Sequence, residues 1–163
     1  NLETTDLNSV IEDVLQFVTV ELDEGGVELN KQLDEQIPYL NLDEKYIKQA
    51  ILNLVKNAVS AMPEGGVLTI LTKRENEYVA LKIKDTGTGI PDDIIDKIFE
   101  PYFTTKDFGS GLGLTVVYKI VKEHMGEISL KSKEGEGTCF TIHFPIPQKE
   151  QKLLGWKGEI DEV

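Results

Sequence analysis

The chain has 163 residues, enough for one domain with its own core, and its 40% hydrophobic and 28% charged residues are those of an ordinary globular protein. No apolar run approaches the roughly 18 residues of a membrane helix, which excludes a spanning segment and direct membrane contact. A net charge of −12 repels phosphate backbones and so excludes non-specific nucleic-acid binding; any site for an anionic ligand must come from backbone amides, a helix N-terminus, a few lysines and a metal ion.

Residues 1–6 are polar and read as an incoming linker, with neither the basic start nor the apolar stretch of a signal peptide. Leu7, Val10, Ile11, Val14, Leu15 and Val18 then follow helical spacing, with Asp6 placed to cap the helix and Gly25-Gly26 to end it. Residues 27–33 and 39–42 read as short strands on either side of Pro38. Asp43 opens a second helix whose stripe runs through Ile47, Ala50, Ile51, Leu54, Val55, Ala58, Ala61 and Met62 until Pro63-Glu64-Gly65-Gly66 stops it. Residues 67–73 and 78–84 form a hairpin, residues 85–111 are irregular and rich in glycine, and a third helix runs from Leu112 to about Met125, ended by Gly126. A last hairpin, 127–131 with 138–144, turns at Glu134-Gly135-Glu136-Gly137, and residues 148–163 are an outgoing tail. This order predicts an α/β (α+β) two-layer sandwich over residues 7–147: a mixed sheet of about five strands with three helices on one face. The single Cys139 forbids an internal disulfide and fits a reducing compartment, hence the cytoplasm.

Four segments carry chemistry. Asn53 and Asn57 are four apart on the second helix, so their amides share a face with Lys56 close by; amide oxygens are neutral, hard ligands suited to Mg²⁺, although a solvated helix face has the same pattern. Asp85 has the inward parity of Val79, Leu81 and Ile83, and a carboxylate aimed into an apolar layer needs a partner such as an adenine amine; an Asx turn at a strand end is the structural alternative. After it, Gly87 and Gly89, in the run ending at Ile90, leave room for a flat ring against backbone. In Phe99-Glu-Pro-Tyr102-Phe-Thr104-Thr105-Lys106 the aromatics can anchor a loop while hydroxyls and a positive charge face phosphate. Gly109-Ser110-Gly111-Leu112-Gly113 runs into the third helix and offers free N–H groups and a dipole to an anion; it is neither a Rossmann fingerprint nor a Walker A loop, and a flexible hinge would look similar.

In this order and spacing the segments resemble the N, G1, F and G2 boxes of the histidine-kinase catalytic domain, within the gyrase, Hsp90, histidine kinase and MutL ATPase superfamily. The segment Gly135-Glu-Gly-Thr138-Cys-Phe140-Thr-Ile142-His-Phe144-Pro145 resembles the one that closes that domain, and the likeness spans nearly all of residues 5–147. The run through Lys106 looks most like the nitrogen-regulation type. The resemblance implies a Bergerat ATP-binding fold and the cofactors ATP and Mg²⁺. The metal would fall to Asn57, supported by Asn53, and adenine N6 to Asp85 directly and through a water that Thr138 could help hold. Lys56, Thr104, Thr105, Lys106 and the backbone amides of Gly109, Gly111 and Gly113 would serve the phosphates, with Tyr102, Ser110 and Leu112 as further ATP contacts. Gly87, Gly89 and Ile90 would line the base, and residues 92–111 would form a lid over ATP.

Gyrase-like relatives place a Glu base just before the second Asn; here Lys56 stands there, which implies slow hydrolysis and favours transfer to a nucleophilic imidazole. His124 reads as a helix-end packing residue and His143 as a solvated strand residue, so neither is the acceptor. The acceptor histidine is expected on a dimerisation domain preceding residue 1 in a parent sensor kinase, with a response regulator as indirect partner and the excised domain monomeric. Two alternatives are a serine-directed relative and a nucleotide-gated binding module without transfer chemistry.

Overall fold

The computed structural model describes residues 1–99 and 111–148, the side chains of 111 and 112 excepted. Strand β1 (Glu3–Thr5) leads into helix α1 (Leu7–Glu24), followed by strands β2 (Val27–Leu33) and β3 (Leu40–Leu42) and helix α2 (Glu44–Ser60). Strands β4 (Gly66–Glu75) and β5 (Tyr78–Asp85), the single turn α3 (Asp92–Ile95), helix α4 (Gly111–Glu123) and strands β6 (Glu127–Lys133) and β7 (Gly137–Pro145) complete it. The main sheet has the order β2-β4-β5-β7-β6; β2 is parallel to β4 and every other pair is antiparallel.

The helical stripes close one face of this sheet. Leu7, Val10, Ile11, Val14, Leu15, Val18 and Leu22 of α1 are buried, as are Ile47, Ala50, Ile51, Leu54, Val55 and Ala58 of α2. They meet the inward residues of β5 (Val79, Leu81, Ile83) and β7 (Phe140, Ile142, Phe144). Each fully buried Leu, Ile or Phe contributes about 1.5–3 kcal/mol, so these stripes, rather than helix propensity, fix the layers. The Asp6 carboxylate accepts the Asn8 N–H at 3.0 Å and caps α1 as its position predicts.

Some local features depart from the sequence reading. Residues 3–5 pair antiparallel with β3, making a separate two-stranded ribbon where only a polar linker was read, and this takes residues 40–42 out of the main sheet. The Gly-rich stretch contains the turn α3. At the end of α4 it is Met125, not Gly126, that takes the left-handed conformation (φ 60°), while the Gly126 N–H bonds back to the Val121 carbonyl. Gly126 is needed for another reason: a Cβ there would stand 2.7 Å from the His143 carbonyl oxygen.

His124 is a packing residue with two defined bonds. Its Nε2 accepts the Asp43 N–H at 3.0 Å, so Nδ1 carries the proton and donates to the Ile120 carbonyl at 2.7 Å. The ring ties the end of α4 to the start of α2. His124→Ala is expected to lower unfolding stability by about 2–3 kcal/mol in a urea titration, because it orphans the Asp43 N–H and leaves a cavity. His143, read as solvated, is instead half-buried: Nε2 lies 2.8 Å from Glu75 Oε1 and the ring stands edge-on to Tyr78. Strand parity set its outward direction, but the cross-sheet partner on β4 is invisible to parity. That histidine, with Lys73 beside it, holds the Glu75 carboxyl below the ordinary range.

Candidate functional site

Strand β5 ends on Asp85, whose inward parity leaves it only 4% exposed. Oδ1 accepts the Gly87 N–H at 2.8 Å and the Thr138 N–H at 3.3 Å. Among the described residues no donor reaches Oδ2, which remains open to the surface. Removal from water pushes the Asp85 pKa above the ordinary carboxylate range, and the Gly87 and Thr138 amides oppose that rise. The result is a strong acceptor in a dry wall, oriented by two backbone donors and free on one side.

Gly87 and Gly89 serve the site differently from their expected role. A Cβ at Gly87 would stand 2.2 Å from the Ala61 carbonyl oxygen, and one at Gly89 (φ +73°) 2.2 Å from that of Lys133. Protein backbone, not a ligand ring, takes the room they leave. They let the loop after Asp85 wrap against the end of α2 and the β6–β7 turn, where the Thr88 N–H bonds the Ala61 carbonyl at 2.9 Å. Ile90 is buried and its N–H donates to Ser132 Oγ at 2.7 Å. Ser132 Oγ also lies 2.7 Å from Thr138 Oγ1. Thr138 therefore points inward as its parity predicts, meets Asp85 through its backbone N–H, and pairs its hydroxyl with Ser132. Ser132 was missed; its shared parity with Ile128 and Leu130 on β6 was the signal available.

Helix α2 joins the two ends of the site. Ala61, at its C-terminal cap, packs on Gly87. Asn57 stands one turn earlier and Asn53 one turn before that, all on one face. Asn53 Nδ2 donates to the Gly113 carbonyl in the first turn of α4 at 3.4 Å. The same helix face thus touches the Asp85 loop at one end and the mouth of α4 at the other, with Asn57 between. The Asn57 Nδ2 group is buried and, among the described residues, has no acceptor, while Oδ1 is not sealed in. A buried unpaired amide donor costs about 1–3 kcal/mol. This orientation leaves a neutral, hard oxygen on the more open side of the amide, the donor type that suits Mg²⁺. Lys56 is exposed, and among the described residues no carboxylate lies within 4 Å of its ammonium. Gly113 faces open space: a Cβ there would meet nothing within 4 Å.

Phe99 is the last described residue before the expected lid. Its ring packs against Tyr118 and edge-on against Phe140, and its carbonyl accepts from Thr115 Oγ1 at 3.2 Å. It anchors the segment to α4 and β7, as its aromatic character predicts. Tyr102, Thr104, Thr105, Lys106, Gly109 and Ser110 lie outside the described residues, as does most of the run resembling the nitrogen-regulation type; for Gly111 and Leu112 only the helical backbone is described.

Helices over one face of a mixed sheet, with a buried carboxylate at the end of β5 and an amide pair on α2, make the arrangement that the sequence resemblance implies for an ATP-binding domain. The chain belongs to the histidine kinase-, DNA gyrase B-, and HSP90-like ATPase family, whose model matches residues 42–148. It is 37% identical over 145 residues to the sensor histidine kinase ZraS of Escherichia coli (strain K12), covering 89% of this chain and 31% of that protein. The catalytic domain of the histidine kinase ThkA superposes with a TM-score of 0.81 at 30% identity, covering 89% of this chain and 95% of that one. ThkA in complex with the response regulator TrrA matches with a TM-score of 0.77 at 26% identity, over 91% of this chain and 42% of that one. The chain spans between a fifth and a third of the length of the curated relatives it matches.

Proposed function

We propose that this domain binds Mg-ATP and passes the γ-phosphate to a histidine on a separate dimerisation domain of a sensor kinase. The observation that carries the reading is the Asp85 carboxylate, buried and held by two amides with one oxygen free, in a loop whose Gly87 packs on the C-terminal cap of the helix that bears Asn57. That oxygen takes the adenine amine. Asn57, with Asn53 behind it, holds Mg²⁺, which neutralises charge on the phosphates. Lys56 and the first turn of α4 take phosphate oxygens, together with Thr104, Thr105, Lys106, Gly109 and Ser110. Tyr102 flanks the nucleotide, and residues 92–111 close over it.

Catalysis on this reading is positioning and charge neutralisation. The imidazole nitrogen of the acceptor bonds to the γ-phosphorus, the bond to the bridging oxygen breaks, and ADP leaves with that electron pair. Lys56 supplies no base for water, so hydrolysis stays slow. Residues 7–147 form the catalytic unit, 1–6 connect it to the acceptor domain and 148–163 are a tail. A response regulator takes the phosphoryl group downstream, and the site of action is the cytoplasm. Among the described residues no helix is long and apolar enough to cross a membrane.

The test is to mix the chain with the dimerisation domain of its parent and γ-labelled ATP. Label is expected on that domain, stable in base and lost in acid. Acid-stable label would instead mark a serine-directed kinase, and tight ATP binding without label a nucleotide-gated binding module. The chain alone is expected to take up no label, since His124 is committed to Asp43 and Ile120.

A further inference from the structure

The face of the sheet turned away from the helices carries charge opposite to that of the chain. Lys82 and Lys84 project from β5, and Lys131 and Lys133 from β6, with β7 running between them in a chain of net charge −12. Lys84 and Lys131 flank Cys139 in register, and Lys82 lies beside Thr141. Between the lysines β7 presents Gly137, Cys139 and Thr141 on this side, with His143 and Pro145 further along, so it forms the floor of a trough between two lysine rows, with a cavity of about 560 Å³ at its Gly137 end. Two strand spacings put the rows about 9.5 Å apart, and two residues along a strand put lysines within a row about 6.7 Å apart.

Lys133 has a partner, Glu136 at 3.0 Å. Among the described residues no carboxylate lies within 4 Å of Lys82, Lys84 or Lys131. Lysines on an edge strand ordinarily guard against unwanted pairing, which accounts for the two on β6. It does not account for Lys82 and Lys84, because β5 is bonded to a strand on both sides.

We propose that this trough docks an acidic helix of a protein partner. Carboxylates three and four residues apart on a helix are about 5–6 Å from one another, close to the spacing within each lysine row, and a helix about 10–12 Å across lies over the floor with its carboxylates within reach of both rows. The two rows are offset by two residues, with Lys84 and Lys131 level at Cys139, Lys82 at Thr141 and Lys133 at Gly137, so the four do not surround one point, which disfavours a single phosphate. The trough has no apolar side chain to insert into a bilayer and its floor is recessed, which disfavours a membrane. A second copy of this chain is repelled at long range by its own −12 charge. The lysines project from the side of β5 opposite to the Asp85 side chain, but Asp85, Ser132 and Thr138 also line the cavity at the trough's end, so nucleotide affinity is measured alongside peptide binding.

The experiment titrates the ¹⁵N-labelled chain with a helical peptide of about 16 residues bearing Glu at every third and fourth position, and with its Gln counterpart. Expected are amide shifts centred on Lys82, Lys84, Cys139, Thr141 and Lys131 with the Glu peptide only. Affinity is expected to fall about tenfold between about 50 and 300 mM salt. A loss of about tenfold is likewise expected on combining Lys82→Glu, Lys84→Glu and Lys131→Glu, with Mg-ATP affinity unchanged. The triple Lys→Gln variant replaces the charge reversal if that one fails to fold. Shifts elsewhere, equal binding of the Gln peptide, or unaltered binding after substitution would overturn the proposal. So would capture of the chain by phosphatidylserine vesicles through these lysines without peptide binding, or self-association in sedimentation that the variant abolishes.

Discussion

Asp85→Asn is expected to weaken ATP binding by roughly 30-fold or more and, at the same time, to raise the melting temperature of the empty domain. The two effects have one origin. The Gly87 and Thr138 amides both donate to Oδ1, so in the variant the amide oxygen must stay on their side and the NH₂ group takes the free position. A donor then faces the donor of adenine, and a charge-assisted bond becomes a clash of like groups, a loss of about 2–4 kcal/mol or roughly 30- to 1,000-fold in affinity. Without nucleotide the variant no longer buries a charge with an unpaired oxygen, so the empty fold gains. The pH dependence fixes the sign. The folded-state pKa of Asp85 lies above its ordinary value of 3.8, because burial penalises the charged form. Its favourable contribution is therefore complete below pH 3.8 and is lost as pH rises through the raised value. The melting difference between variant and wild type should be near zero at the acid end and widen toward pH 7. Calorimetry with Mg-ATP and melts at several pH values check both halves. Unchanged affinity would remove the adenine assignment, and a lower melting point at pH 7 would make the carboxylate a structural group.

The parts of this site that the sequence made legible are those governed by strict periodicity. Period two along β5 put Asp85 inside, and the four-residue interval put Asn53 and Asn57 on one helix face; both follow from backbone geometry alone. What escaped depends on distant pieces of chain meeting. Gly87 and Gly89 were read as clearance for a ligand because their neighbours across space, the Ala61 and Lys133 carbonyls, are 26 and 44 residues away. Ser132 sits on a hairpin whose sequence gives no sign that it will bridge Ile90 and Thr138. Strand β1 is three polar residues, the first two exposed, with no apolar pattern, and it exists only because β3 offers an edge. Local pattern fixes direction; partners across the fold decide what each side chain does there.

Asn57→Ala separates the metal from the base. Its amide nitrogen is buried without an acceptor, so removing the side chain relieves an unpaired donor and leaves only a small void. The expected change in unfolding free energy is within about 1 kcal/mol of zero, an unusual result for a half-buried polar residue of a packed helix. Nucleotide binding should respond differently. Adenine recognition runs through Asp85 at the end of β5, on another element, so affinity for metal-free ATP in EDTA should stay at the wild-type value. The gain on adding Mg²⁺ should shrink by about tenfold or more, and transfer to the acceptor domain by about 100-fold or more, because the oxygen that fixes the metal against the phosphates is gone. Asn53→Ala should lie between, since its Nδ2 bond to the Gly113 carbonyl at 3.4 Å is a long one and supports position more than charge. Titrating a fluorescent ATP analogue with and without Mg²⁺ in the three variants gives a crossed pattern: Asp85→Asn weakens binding in both conditions, Asn57→Ala only the metal-dependent part. If Asn57→Ala kept the full effect of Mg²⁺, the amide stripe of α2 would revert to a solvated helix face, and the metal would have to be held by other groups.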